Sequence, residues 1–272
     1  MAESSPGALD KMLAARRKRL EETQARVPLA RLEEAAATRR DYRDFMGALS
    51  GQALRVIAEL KRASPSRGLL RREYSCRELA QGYESAGAAA LSVLTEEDFF
   101  LGSLADLEEA RAAVHLPVLR KDFILDAYQV FESAAAGADA LLLIVAALGD
   151  RELRSLLELC HRLGLASLVE VHAAEELERA VAAGARIIGV NNRNLKTLEV
   201  DFETSFRLRA KIPRGCLAVS ESGIRRPEDL RRLADAGFSA ALIGERFMEA
   251  SSPAGELAAL LEGAGLAAKV RH

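Results

Sequence analysis

The sequence predicts an α/β protein, a (β/α)8 or TIM barrel preceded by a helical extension, on three observations. Eight short apolar runs recur between residues 54 and 243, mostly without the alternation of a half-exposed sheet. Strands of that kind belong to a parallel sheet covered on both faces. Helical patterns fill the intervals between them. One junction repeats: Ala86-Gly87-Ala88, Ala136-Gly137-Ala138, Ala183-Gly184-Ala185 and Ala236-Gly237-Phe238 each close a helix just before a strand. Glycine there suits the left-handed position that ends a helix, and four copies point to a repeated βα unit. A doubly wound open sheet is the alternative, but the chain has no GxGxxG after an early strand.

The elements follow in order. Residues 1–47 form the extension and 48–272 the barrel, a single catalytic domain. The extension is rich in Ala, Leu, Arg and Glu, has no strand, and is divided into two helices by Pro28. Residues 47–52 read as a connection. The expected strands are Leu54–Leu60, Ala89–Leu94, Pro117–Lys121, Asp139–Ile144, Ser167–Val171, Arg186–Val190, Leu217–Ser220 and Ala240–Ile243. Helices are expected at Leu104–Val114, Ala127–Ala136, Arg151–Leu163 and Ala174–Ala183. Ser103 with Asp106 has capping-box spacing, Asp126 suits an N-cap, and Pro227 fits a first helical turn.

Composition excludes several classes of function. A net charge of −2 gives no electrostatic footprint for nucleic acid or a membrane surface. Cys76, Cys160 and Cys216 are too scattered for a disulfide framework or a metal site, and the four histidines do not cluster. No apolar run is long enough to span a bilayer. Residues 16–19, all Arg or Lys, lie where the apolar core of a signal peptide would be needed. The expectation is a cytoplasmic protein.

The chemistry is sought at the C-terminal ends of the strands, where barrels carry their active sites. Glu59 and Lys61, two apart, share a face of strand one. Strand three ends in Arg120-Lys121-Asp122, strand five holds Glu170 between two valines, and strand six runs into Asn191-Asn192-Arg193. Strand seven ends in Ser220-Glu221-Ser222-Gly223 and strand eight in Gly244-Glu245. One such end is ordinarily a solvated strand terminus; six of eight are a site. The glycines after strands seven and eight, each leading into a helix-like segment, suit a phosphate cup, which Ser64 and Ser66 can close from the first loop. A carboxylate at position 244 is expected to spoil phosphate binding while the fold survives. Lys121 follows an inward Leu119 by two positions, so it points into the mouth, where desolvation is expected to lower its pKa.

These residues resemble the indole-3-glycerol phosphate synthase family. The resemblance lies in Glu-Leu-Lys-Arg-Ala-Ser-Pro-Ser-Arg-Gly (59–68), Leu-Ser-Val-Leu-Thr-Glu (91–96), Pro-Val-Leu-Arg-Lys-Asp-Phe-Ile (117–124), Leu-Val-Glu-Val-His (168–172), Ile-Gly-Val-Asn-Asn-Arg-Asn-Leu (188–195), Ser-Glu-Ser-Gly-Ile (220–224) and Leu-Ile-Gly-Glu (242–245). Asn194 stands where the family pattern has Asp, and Arg246-Phe247 where it has a smaller residue and Leu. The resemblance implies ring closure, decarboxylation and dehydration of 1-(2-carboxyphenylamino)-1-deoxyribulose 5-phosphate to indole-3-glycerol phosphate, with no cofactor or metal. It implies an extension packed over the barrel mouth. It implies Lys121 as general acid, Lys61 beside the substrate carboxylate with Glu59 orienting it, and Glu170 as base; which lysine serves which step stays open. Asn191 and Glu221 would hold substrate hydroxyls, Arg193 would support them, and Ser64, Ser222, Gly223, Gly244 and Glu245 would hold the phosphate. The implied partner is a small phosphorylated substrate, and association with other tryptophan-pathway enzymes is left open. The competing readings are another phosphate-binding barrel, such as phosphoribosylanthranilate isomerase or a sugar-phosphate epimerase, and an inactive barrel kept for interaction.

Overall fold

The structure, a computed structural model, describes residues 7–267. Eight strands form the closed parallel barrel: β1 (Arg55–Leu60), β2 (Ala90–Leu94), β3 (Val118–Lys121), β4 (Ala140–Ile144), β5 (Ala166–Val171), β6 (Ile187–Asn191), β7 (Leu217–Glu221) and β8 (Ala240–Ile243). Each strand pairs with its sequence neighbours, and β8 returns to β1 with Arg55 opposite Ala240 and Ala58 opposite Ile243. Strands β6 and β7 run one residue further than expected, so Asn191 and Glu221 stand on the strands themselves.

Two apolar layers follow from the period-2 alternation of a strand. Ile57, Ala90, Leu119, Ala140, Leu142, Leu168, Ile187, Val219, Ala240 and Leu242 fill the barrel interior. Val56, Ala58, Leu91, Val93, Leu141, Leu143, Val169, Val171, Ile188 and Val190 point the other way, under the helices. The covering helices include α4 (Cys76–Ser85), α5 (Leu104–Ala113), α6 (Ala127–Ala135), α7 (Asp150–Leu163), α8 (Ala174–Ala182), α9 (Glu203–Arg209) and α10 (Pro227–Asp235). Gly87, Gly137, Gly184 and Gly237 take φ between 80° and 95°, the left-handed turn that carries each helix into its strand. Ser103 and Asp126 accept N-cap bonds from Asp106 and Tyr128 backbone N–H groups, and Pro227 opens its helix.

The extension divides at Pro28 into α1 (Ala8–Arg26) and α2 (Leu29–Thr38), and the stretch expected as plain connection contains a short helix, α3 (Phe45–Leu49). Among the described residues of the extension, those of α1 reach the loops at the C-terminal ends of the strands. Its Arg16 meets Asp122 at 3.1 Å after β3, and its Arg19 meets Asp98 at 2.7 Å after β2. Helix α2 lies along α6. Beyond it, Arg39 gives hydrogen bonds to the carbonyls of Ala134 (3.1 Å), Gly137 (3.0 Å) and Ala138, and pairs with buried Asp139 at 2.9 Å. Phe45 and Leu49 of α3 join the interior cluster beside Ile57, Ala90, Ala140 and Ala240, residues of the first halves of their strands. The extension thus descends the outside of the barrel and closes the end away from the mouth. The chain ends in α11 (Glu245–Glu249) and α12 (Pro253–Ala264).

Candidate active site

The parity that places Ile57, Leu119, Leu168, Ile187, Val219 and Leu242 inside the barrel brings Glu59, Lys61, Lys121, Glu170, Asn191, Glu221 and Gly244 inside above them. They line a cavity of about 350 Å³ at the barrel mouth, together with Arg193, Ser222, Gly223 and Glu245. Of the residues expected there, Ser64 is not in the wall. It lies in a hairpin, Ala63–Ser64 against Gly68–Leu69, and its hydroxyl is enclosed without a hydrogen-bond partner among the described residues. Ser66 accepts a bond from Arg193 at 3.3 Å.

Two lysines and three carboxylates form the polar floor. Lys61 Nζ lies 2.9 Å from Glu59 Oε1. Lys121 Nζ lies 3.4 Å from Glu170 Oε2 and 3.3 Å from Glu221 Oε2. Asp122, next to Lys121 in sequence, points elsewhere: it pairs with Arg120 at 3.0 Å and accepts from Thr95 at 2.5 Å. The expected depression of the Lys121 pKa is overturned. Burial alone would lower it, but Glu221, Glu170 and Glu59 outweigh burial and hold the ammonium above the ordinary lysine value. Burial likewise pushes Glu59 upward, and Lys61 with Lys121 outweighs it, so this carboxyl falls below the usual value. Glu221 goes the other way, pushed up to about 8 by burial against the pull of Lys121, with Glu170 adding to the rise.

Two glycines make room for this cluster. A Cβ on Gly189, in β6, would overlap the Glu221 carboxylate and stand 3.2 Å from Leu168 Cδ1. A Cβ on Gly244 would stand 2.8 Å from Glu59 Cβ and 3.0 Å from its Cδ. A side chain at 244 therefore strikes Glu59 first, so the expectation that it would disturb only a bound phosphate does not hold.

On the β6–β8 side, Asn191 Oδ1 accepts from Arg193 N and Ser222 Oγ, both at 2.9 Å. Ser222 has φ +67°, an unusual conformation for a residue with a side chain. It is held there by that bond and by Asn192 Nδ2 on its carbonyl at 2.9 Å. Arg193 pairs with Glu245 at 3.1 Å.

The opposite wall escaped the reading of charges. Phe100, Phe123, Leu94, Leu142 and Ile144 make it apolar. Leu94 and Ile144 end β2 and β4, the two strands with no charged end. The signal was available as inward parity from Ala90 and Ala140. Glu96, Arg67 and Arg225 also line the cavity and were missed, because loop residues carry no strand parity.

Solved structures share the fold at low identity. The 3-hexulose-6-phosphate synthase of Salmonella typhimurium aligns with TM-score 0.62 and 13% identity over 78% of this chain and 98% of its own. The thiamine phosphate pyrophosphorylase of Pyrococcus furiosus aligns with TM-score 0.56 and 15% identity over 79% and 96%. These likenesses show the barrel alone. Sequence comparison goes further. The indole-3-glycerol phosphate synthase family model matches residues 9–260. The indole-3-glycerol phosphate synthase of Polaromonas naphthalenivorans is 48% identical over 256 residues, covering 93% of this chain and 97% of its own. Indole-3-glycerol phosphate synthase 1 of Streptomyces coelicolor is 51% identical over 245 residues, covering 90% and 91%. That of Streptomyces griseus is 49% identical over 264 residues, covering 97% and 98%. With the match running from α1 to α12 through every charged strand end of the cavity, the chain belongs to the indole-3-glycerol phosphate synthase family.

Proposed function

We propose that the cavity performs the family's reaction, the carboxy-lyase step of tryptophan biosynthesis, with Lys121 as the general acid of ring closure. The substrate, 1-(2-carboxyphenylamino)-1-deoxyribulose 5-phosphate, has a flat ring at one end and a phosphate at the other. The cavity has two matching sides. Phe100, Phe123, Leu142 and Ile144 form an apolar slot for the ring, and the strand ends of β7 and β8 offer Ser222, Gly223, Gly244 and the N–H of Glu245 to the phosphate. Arg193 supports that side through Asn191 and Glu245.

The ketone then lies over the polar floor. As the ring carbon bonds to the carbonyl carbon, negative charge grows on its oxygen. Lys121, kept protonated by its carboxylates, stabilises that charge and delivers the proton. An alkoxide is far more basic than an amine, so a raised lysine pKa does not block the transfer. Lys61, oriented by Glu59, sits beside the carboxylate until CO2 leaves, and it is the second candidate acid for the loss of hydroxide. Glu170 takes the last ring proton, and Asn191 and Glu221 hold the substrate hydroxyls and Lys121. The supporting observation is Lys121 set 3.3–3.4 Å from two carboxylates on an inward strand position. Helix α1, joined to the β2 and β3 loops by Arg19 and Arg16, acts as a cover on this mouth.

The test is a fluorescence assay for the indole product with Lys121→Met and Lys121→Arg. No turnover of this substrate by the intact chain, with turnover of phosphoribosylanthranilate, would move the assignment to a different phosphate-binding barrel.

A further inference from the structure

Glu96 stands apart from the other carboxylates of the cavity. It is 1% exposed and lines the mouth, yet both its oxygens are occupied by the backbone. Oε1 accepts from Asp98 N at 3.1 Å, and Oε2 from Phe99 N at 2.8 Å and Phe100 N at 3.0 Å. Its own carbonyl accepts from Gly102 N at 2.9 Å. One residue thereby holds four of the five N–H donors from Asp98 to Gly102 in the loop that follows β2, all but that of Leu101.

That loop needs holding. Leu101 has φ +54°, a left-handed conformation disfavoured for a residue with a Cβ. Gly102 folds so closely onto the end of β2 that a Cβ would stand 2.6 Å from the Leu94 carbonyl carbon. The reward of this tight fold is the placement of Phe100. Its ring lines the cavity, and its carbonyl accepts from Ala63 N at 3.1 Å, two residues beyond Lys61. Phe99 packs on the barrel interior beside it.

We propose that Glu96 is a positioning residue of the active site: it folds the β2 loop so that Phe100 forms one wall of the slot for the aromatic ring of the substrate. This rests on the placement of the ring proposed above. Both oxygens of Glu96 are engaged by backbone N–H groups, with three of about four acceptor sites filled, so it acts through Phe100 and sets affinity for the ring rather than the rate of the chemistry. A buried carboxylate that accepts three N–H groups cannot be replaced by an amide without loss, because the amide NH2 would face donors.

The experiment is a double-mutant cycle on the intact chain, with kcat and KM from the indole assay for Glu96→Gln, Phe100→Ala and the pair. Glu96→Gln is expected to raise KM about tenfold with kcat within about threefold, the signature of lost substrate binding. Phe100→Ala is expected to raise KM at least as much, and the double variant no further than Phe100→Ala alone, since both act through one wall. Inhibition by inorganic phosphate should be unchanged in all three. Additive effects on KM, or a fall in kcat of a hundredfold at constant KM, would overturn the proposal. An unchanged KM in Phe100→Ala would overturn it together with the ring placement; a raised KM there beside a silent Glu96→Gln would overturn it alone. Should Glu96→Gln not fold, Glu96→Asp, one methylene too short to reach all three donors, replaces it with the same outcomes.

Discussion

Lys121 shows how far a single position can be argued. Its inward direction follows from Leu119 two places earlier, but its charge state depends on Glu170 and Glu221, which arrive from β5 and β7 and are invisible to local sequence. Hence its side chain was placed from parity while its pKa was not. Lys121→Met is expected to lower kcat by about 10²–10⁴-fold with KM little changed, the usual worth of general acid catalysis. Lys121→Arg should not restore it, because guanidinium holds its proton too tightly; near-normal kcat in that variant would leave Lys61 as the acid. Glu221 supports a second prediction, on stability. Its carboxyl is raised to about 8 in the fold from an ordinary value of 4.5. The folded state therefore binds more protons than the unfolded chain between these values, and this group's contribution to stability is full below 4.5 and lost as pH rises through 8. Glu221→Gln carries no such dependence. Its melting temperature should gain on that of the native chain as pH goes from 5 to 8; a gap that stays constant with pH would mean an ordinary carboxyl. The same carboxylate explains Gly189, whose role no pattern in β6 announced: it is glycine because Glu221, distant in sequence, fills the space of its side chain.

At the scale of elements, strands and helix ends were legible because their rules are local. A buried parallel strand is a continuous apolar run, and a helix that ends in Ala-Gly must turn left-handed. The parts that were not legible depend on tertiary partners. Phe45 and Leu49 look like residues of a linker until the open end of a barrel is there to receive them, and the hairpin holding Ser64 is only two residues a side. The path of the extension matters for any truncation. Removing residues 1–26 takes away α1 alone, with Arg16 and Arg19. It is expected to raise KM severalfold and to lower the melting temperature as well, because Leu9, Met12 and Arg16 are buried and Asp122 loses a partner at 3.1 Å; an unaltered KM would argue against a cover. Removing residues 1–47 is a different operation, because it also withdraws Arg39 and Phe45. The side chain of Asp139 is fully buried between Arg39 and Arg111, at 2.9 and 2.7 Å. Taking one partner from a buried pair destabilises by about 3–5 kcal/mol, and Arg39 also satisfies carbonyls at the end of α6. Arg39→Ala should therefore lower the urea midpoint markedly by itself, with the indole assay unaffected in the folded fraction.

The whole molecule separates stability from chemistry along the barrel axis. The two ends are built from one alternation: the same inward positions that carry Ile57, Leu119, Leu168 and Val219 in the body of the barrel carry Glu59, Lys121, Glu170 and Glu221 at its mouth. The mouth concentrates buried charge and a left-handed Ser222, features that cost stability and persist because the scaffold holds them. The other end is plugged by Phe45 and Leu49 of α3, so it can supply what the mouth does not. Phe45, 1% exposed, is among the largest fully enclosed side chains there. Phe45→Ala would leave a cavity between α3 and the first residues of the strands, and substitutions of this kind cost about 3–5 kcal/mol. No cavity-lining residue belongs to α3, so kcat and KM of the folded variant should stay within about twofold of the native values, as for changes far from a site with no shared partners. Lys121→Met should lower kcat far out of proportion to its loss of stability, although it too destabilises by leaving Glu170 and Glu221 without their ammonium. Measuring both quantities on both variants tests the separation directly. A kcat that falls with Phe45→Ala in proportion to its loss of stability would mean that the closed end and the mouth are coupled through the strands, and that the barrel works as one unit rather than as a catalytic rim on a stable base.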